Sequence, residues 1–168
     1  MAIVADAKSG LRAAPRASVL QLRAPQLDAR RLEREATDLV ASVDLPVLVS
    51  SRCDVALAAG AAGVNLPERD ISTHDARALI GHGLVGRSVH SVEAAQRAQV
   101  EGADFVIFGP VWESASHPGA RPAGLEALRR IAGAVRIPVL AVGGVTEERV
   151  GQCLAAGAAG YAAISMFR

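Results

Sequence analysis

Neither sign of charge dominates this chain: 18 lysines and arginines stand against 17 aspartates and glutamates in 168 residues. Without a basic excess there is no field to gather nucleic acid or an anionic membrane surface irrespective of sequence, and a small neutral or anionic ligand fits better. Long apolar runs are missing as well. No stretch reaches the roughly 18 apolar residues that span a bilayer. The opening MAIVADAKSG has neither the basic start nor the long apolar centre of a secretory leader. A cytoplasmic protein without membrane or nucleic-acid partners is expected. Cysteine is scarce too. Cys53 and Cys153 each sit in an Ala-rich stretch of helical character and are expected as buried thiols, not as a disulfide. They lack metal-ligand spacing, and carboxylates are sparse wherever a strand is expected to end, Asp70 with Glu68 beside it being the exception.

What is abundant is apolar: 51% of the residues are hydrophobic, enough for one domain over residues 1–168. Short runs rich in Val, Ile and Leu recur at Ala2–Ala5, Val19–Leu22, Pro46–Val49, Gly63–Leu66, Leu84–Gly86, Phe105–Val111, Val139–Val142 and Tyr161–Ile164. They lack the polar alternation of a half-solvated sheet, as parallel strands covered on both faces do. Between them lie stretches of helical period such as Asp28–Val43, Ser91–Glu101, Leu125–Ala134 and Glu147–Ala156. Eight strands alternating with helices predict an α/β fold, a (β/α)8 TIM barrel, with the open doubly wound sheet as the alternative. At 168 residues the barrel is compact. KSGLRAAPRAS leaves room for only a shortened first helix, and SMFR follows the eighth strand directly, so the final helix is expected to be missing. A bare apolar flank there makes a homodimer an expectation.

Functional groups in such a barrel come from the C-terminal ends of strands and the loops after them. The seventh strand, IPVLAVGGVTEERV, carries the strongest signal. Gly143 and Gly144, followed by Thr146 as helix N-cap and by two glutamates, leave backbone N–H groups free to face an anion. A phosphate is the natural occupant, with Ser165 at the end of the eighth strand beside it; relief of crowding at a barrel corner is the bland alternative. Gln21 and Arg23 alternate onto one side of the second strand and form a plausible pair toward phosphate or carboxylate. His90 at the fifth strand end and His117 in the ESASHPGARPAG loop are the acid/base candidates, while His74 and His82 read as solvated. The loop itself reads as an active-site lid. Trp112 either stacks on a ligand ring or packs.

The stretches LQLRAP, VGRSVHSVEAAQRAQVEGADFVIFGPVWES and IPVLAVGGVTEERVGQCLAAGAAGYAAISMF together resemble the thiamine phosphate synthase and TenI superfamily across nearly the whole chain. The resemblance implies a (β/α)8 barrel that binds a phosphorylated thiazole at the C-terminal strand ends. It implies Gly143, Gly144, Ser165 and Gly124 as phosphate-binding residues, and Gln21, Arg23, Ser88, Ser50, Ser51 and Asn65 as substrate-binding ones. The synthase branch joins a pyrimidine diphosphate to thiazole phosphate and expels pyrophosphate with magnesium. Its second strand reads Q-L-R-x-K, and here Pro25 stands at the lysine. Its third strand ends Asn-Asp, here Ser50-Ser51; its fourth reads H-x-G-Q-x-D, here Asn65-Leu66-Pro67-Glu68-Arg69-Asp70; its sixth loop ends T-x-T-K, here Ser114-Ala115-Ser116-His117.

A diphosphate leaving group needs cations and a metal to neutralise its departure. Two lysines and one metal-binding aspartate are absent, while Asp70 is the one residue left for magnesium if the synthase reaction is used. The pattern G-R-S-V-H-S with Leu66-Pro67 is closer to the TenI branch, whose thiazole tautomerases move a proton within a carboxythiazole phosphate and need no cofactor. In those enzymes the histidine falls within a G-H-V, here Gly109-Pro110-Val111, so the proton passes to His117 or His90. Three readings follow in order: a TenI-like tautomerase, a thiamine phosphate synthase with Arg52, Arg87 or Arg121 replacing the lost cations, and a non-catalytic binder of thiamine intermediates.

Overall fold

The computed structural model describes residues 1–114, 119 and 121–168. Eight strands alternate with seven helices in chain order: β1 (Ala2–Val4), α1 (Ala7–Ala13), β2 (Leu20–Leu22), α2 (Ala29–Ser42), β3 (Val47–Ser50), α3 (Cys53–Ala58), β4 (Gly63–Leu66), α4 (Thr73–Ile80), β5 (Leu84–Val89), α5 (Val92–Val100), β6 (Phe105–Phe108), α6 (Gly124–Ala134), β7 (Val139–Val142), α7 (Glu147–Ala155) and β8 (Gly160–Ala162). Every strand pairs in parallel with the next. The sheet closes where Ala2 bridges Ala163: Ile3 donates its N–H to the Ala163 carbonyl at 2.9 Å and Ala163 donates to Met1 at 3.2 Å. The architecture is the (β/α)8 TIM barrel, and closure rules out the doubly wound alternative.

Strand alternation divides the core. Val47, Val49, Val64 and Val85 face outward onto α1 to α4, and Val106, Val139 and Ala141 onto α5 to α7. The intervening residues point inward: Leu48, Phe105, Ile107 and Ala162 are buried with Ile3, Val19, Leu84, Leu140 and Val142 against them. One aromatic ring among so many aliphatic side chains needs space. Gly86 provides it, because a Cβ there would run into the Phe105 ring and sit 2.8 Å from Asn65 Oδ1.

Several boundaries differ from expectation. β5 runs on to Val89 because Ser88 and Val89 pair with Ile107 and Phe108. β6 stops at Phe108, before the Gly109–Pro110 step. The eighth strand starts one residue earlier and stops at Ala162, since Ile164 turns helical and opens a 3-10 turn over Ser165–Phe167. The short first helix is seven residues long and well started. Asp6 accepts from the Ser9 N–H at 2.6 Å and the Ser9 hydroxyl accepts from the Asp6 N–H, a reciprocal capping box.

Among the described residues β8 is followed by the 3-10 turn, which folds back over it. Phe167 is buried, stacked on Tyr161 with ring centroids 6.3 Å apart, and the Arg16 guanidinium lies over its outer face. This turn covers part of the flank on which the expected homodimer rests. Cys53 and Cys153 are buried free thiols, as expected, and burial pushes both thiols up from the usual range. No described helix is long and apolar enough to cross a membrane.

Gly86→Ala is expected to destabilise the barrel by about 1–3 kcal/mol, the usual cost of forcing a methyl group into a packed core. Urea denaturation reads this directly. Adding Phe105→Leu should recover part of the loss, because it removes the ring that the methyl strikes.

Candidate functional site

Gly143 and Gly144 follow β7 with φ of +89° and +64°, a left-handed pair that side-chain-bearing residues rarely adopt. They are also crowded. A Cβ on Gly143 would lie 2.6 Å from Pro110, and one on Gly144 would lie 2.5 Å from the Glu113 carbonyl oxygen. Their carbonyls are occupied: Gly143 O accepts from the Trp112 N–H at 3.1 Å and Gly144 O accepts from Arg149 Nη1 at 2.7 Å. Among the described residues, none accepts from the N–H groups of Gly143, Gly144 or Val145. Successive open amides in a left-handed turn make an anion-binding concavity, and here the nine-residue helix α7 begins directly after it with Glu147. Thr146 is its N-cap residue, but the Thr146 side chain makes no capping bond; only its carbonyl is used, by Arg149 and Val150. The crowding role and the open amides therefore coexist in one pair of glycines.

Ser165 opens the 3-10 turn after β8, and no described residue accepts from its N–H. Gly124 differs. It starts α6 with φ +79°, but its N–H already donates to the Val111 carbonyl at 3.1 Å, so that amide is not open to a phosphate.

Below this rim the barrel interior turns polar. Gln21 shares its register with Ile3 and Leu48, and Asn65 with Ser50 and Gly86, so both point inward. They are only 2% and 3% exposed. Asn65 Nδ2 donates to Ser88 Oγ at 3.2 Å, yet Gln21 Oε1 and Asn65 Oδ1 have no partner among the described residues. Buried polar atoms without partners are rare and ask for a ligand or an ordered water. Arg23, expected beside Gln21, is exposed just past the end of β2, its N–H bonded to the Val4 carbonyl.

The β3 and β4 ends meet on the other side of the mouth. Ser51 holds a φ of +68° and donates its hydroxyl to Asp70 Oδ2 at 2.6 Å, while Asp70 Oδ1 accepts from the Ile71 N–H at 2.8 Å. Both carboxylate oxygens are thus engaged by donors of the chain itself. No group of three or more His, Cys, Asp and Glu side chains gathers among the described residues. A hydroxyl and one doubly bonded carboxylate are a poor donor set for magnesium, which favours carboxylates and water, so the magnesium expected with the synthase reaction does not fit these residues.

Two of the three arginines proposed as substitute cations are committed elsewhere. Arg87 donates to the carbonyls of Ile71, Glu68 and Asp70, stapling the β4–α4 loop to β5. Arg52 makes a two-pronged bond to Asp54, whose carboxyl it draws down to about 2. Arg121 is exposed on the β6–α6 segment.

His90 follows the last residue of β5 and is exposed, and its Nδ1 is 2.6 Å from Glu68 Oε2. Glu68 thus partners a histidine that the chain order alone leaves unpaired. His117, with residues 115–118 and 120, lies outside the described residues, and the expected lid lies partly there. Trp112 is half-buried and packs under a guanidinium, that of Arg149, 5.0 Å from its ring centroid.

A closed parallel barrel with an open-amide turn after its seventh strand and a polar layer beneath it defines a (β/α)8 protein with unpaired backbone donors at its C-terminal rim. The chain belongs to the thiamine monophosphate synthase family, whose pattern matches residues 4–167. It is 42% identical over 160 residues to the thiamine-phosphate synthase of Methanoculleus marisnigri, covering 92% of this chain and 76% of that one. With the synthase of Chloroflexus aurantiacus it shares 37% over 153 residues, 89% and 71% of the two chains. The solved structure of the thiamine phosphate pyrophosphorylase from Pyrococcus furiosus superposes with a TM-score of 0.89 at 31% identity, over 98% of this chain and 84% of that one. FabK from Thermotoga maritima, at 17% identity and a TM-score of 0.81, shares the fold alone.

Gly144→Ala, which carries both a left-handed φ and a clash, is expected to weaken binding of inorganic phosphate at least tenfold, read by calorimetric titration. If the two glycines only relieved crowding, the variant would lose thermal stability while phosphate still shifted its melting temperature as it does in the parent.

Proposed function

We propose that this chain acts in thiamine biosynthesis on a phosphorylated thiazole, held by the Gly143–Gly144–Val145 amides with Ser165 beside them. The open amides of that turn carry the reading: they offer several N–H donors to one anion without a side-chain cation. The polar layer beneath supplies Gln21, Asn65, Ser88 and Ser50 to the ring of the ligand, and the unpartnered amide oxygens of Gln21 and Asn65 are acceptors waiting for donors.

The chemistry of the site favours a metal-independent, TenI-like isomerisation. Moving a proton within a carboxythiazole phosphate requires a group that takes the proton from one ring position and returns it at another, with no net change of electrons. His90 supports this role. With the Glu68 carboxylate accepting from Nδ1–H, the imidazole is held in the tautomer whose Nε2 is free to act as base. His117 is the alternative donor in the same reaction.

A second reading, thiamine-phosphate synthase, is favoured by the comparisons: relatives 37–42% identical over most of both chains bear that name. In this reading the same amides hold thiazole phosphate while its ring nitrogen displaces pyrophosphate from a pyrimidine diphosphate. The names of the relatives weigh toward coupling, and the donor set around Asp70 weighs against it. A non-catalytic binder would keep the amides and use neither reaction.

One pair of assays separates the three. Purified protein given pyrimidine diphosphate, thiazole phosphate and magnesium is expected to release no pyrophosphate above background; release at a sustained rate establishes the synthase instead. The carboxythiazole phosphate should change its ultraviolet spectrum with equal rate in magnesium and in chelator. His90→Ala should slow that change at least a hundredfold, and Glu68→Gln by about tenfold, the range usual for general acid–base groups and their supports. Binding heat without either turnover identifies the binder.

A further inference from the structure

Arg149 and Trp112 do not belong to any group of residues the reaction needs, yet they meet at the anion turn. Arg149, in the first turn of α7, spends one guanidinium nitrogen on the Gly144 carbonyl at 2.7 Å and places its guanidinium carbon over the Trp112 ring, 5.0 Å from the centroid. Trp112 in turn donates its own N–H to the Gly143 carbonyl at 3.1 Å. Its Cβ lies 2.7 Å from where a Cβ on Gly144 would be. The two carbonyls of the glycine pair are therefore each gripped, one by the backbone of the β6–α6 segment and one by the side chain of α7.

Peptide planarity converts these grips into a direction. In a trans peptide the C=O of one residue and the N–H of the next point to opposite sides of a rigid plane. Fixing Gly143 O fixes the N–H of Gly144, and fixing Gly144 O fixes the N–H of Val145. Both of these N–H groups lack an acceptor among the described residues. With two glycines at positive φ, a turn of this kind has many other accessible conformations, so an external clamp on the carbonyls is what holds the amides aimed.

We infer that Arg149 is a positioning residue for the anion site: it acts through the Gly144 peptide, aiming the Val145 N–H, and Trp112 is the surface against which its guanidinium rests. The inference rests on the phosphate reading given above. A consequence is that Trp112, the single tryptophan of the chain, reports on the site, because an anion on the amides changes the charge a few ångströms from its indole.

The test uses the full chain and two ligands, inorganic phosphate and thiazole phosphate. Titrating either into the parent protein is expected to change the Trp112 emission with a saturating curve. A parent that binds neither, by emission and by calorimetry, overturns the phosphate reading and this inference with it. Given binding by the parent, Arg149→Met should weaken it about tenfold, as loss of a charge-assisted hydrogen bond does. In turnover the same variant should raise KM by a similar factor with kcat within about twofold.

Arg149→Lys keeps a donor for the Gly144 carbonyl without the planar fork and should recover part of the affinity. Trp112→Phe should stay within about threefold of the parent, followed by calorimetry. Parent-like affinity in a folded Arg149→Met overturns the inference, as does a fall in kcat at unchanged KM. Should the methionine variant not fold, Arg149→Lys carries the test alone: affinity equal to that of the parent in that variant, with Trp112 emission also unchanged, overturns it.

Discussion

Two hydrogen bonds at Ala163, one from Ile3 and one to Met1, turn a row of eight strands into a ring. Once the ring is closed, every second residue of every strand must share one narrow space, and that space sets the terms for the rest of the molecule. In the lower half it is filled by aliphatic side chains and one aromatic ring, for which β5 yields a glycine. Gln21, Ser50, Asn65 and Ser88 alternate inward as well, so the strands that build a dry floor also build a polar mouth. The loops then have only to dress a rim whose shape the ring has already fixed.

The rim is dressed mostly with backbone. The turn after β7 presents backbone amides, and three arginines around the mouth are spent on the chain itself: Arg87 on three carbonyls, Arg52 on a neighbouring aspartate, Arg149 on the glycine turn. Arg23 and Arg121 are exposed.

Much of this could be read along the chain. The eight apolar runs and their helical spacers gave the barrel, and the doubled glycine at the end of an apolar run gave a left-handed turn with open amides, because both are local patterns that backbone physics reads directly. Losses at Pro25 and at Ser50-Ser51 were visible as well, as residues of the wrong chemistry at strand ends. Pairings across the mouth were not visible. Ser51 meets Asp70 and Glu68 meets His90 at separations of 19 and 22 residues. Nothing in either segment announces the other, since the barrel's stagger decides which loop ends face each other. Gly124, which the resemblance assigns to the phosphate, has its amide taken by the Val111 carbonyl, a pairing that the sequence does not announce either.

The hydroxyl at Ser51 has a bearing on how this lineage could change. An aspartate placed there would face Asp70 at hydrogen-bonding distance, and two ionised carboxylates so close repel strongly unless a cation lies between them. The serine removes that demand and welds the two loops in any ionic setting. An aspartate substituted for Ser51 would therefore carry a folding penalty that divalent cation relieves.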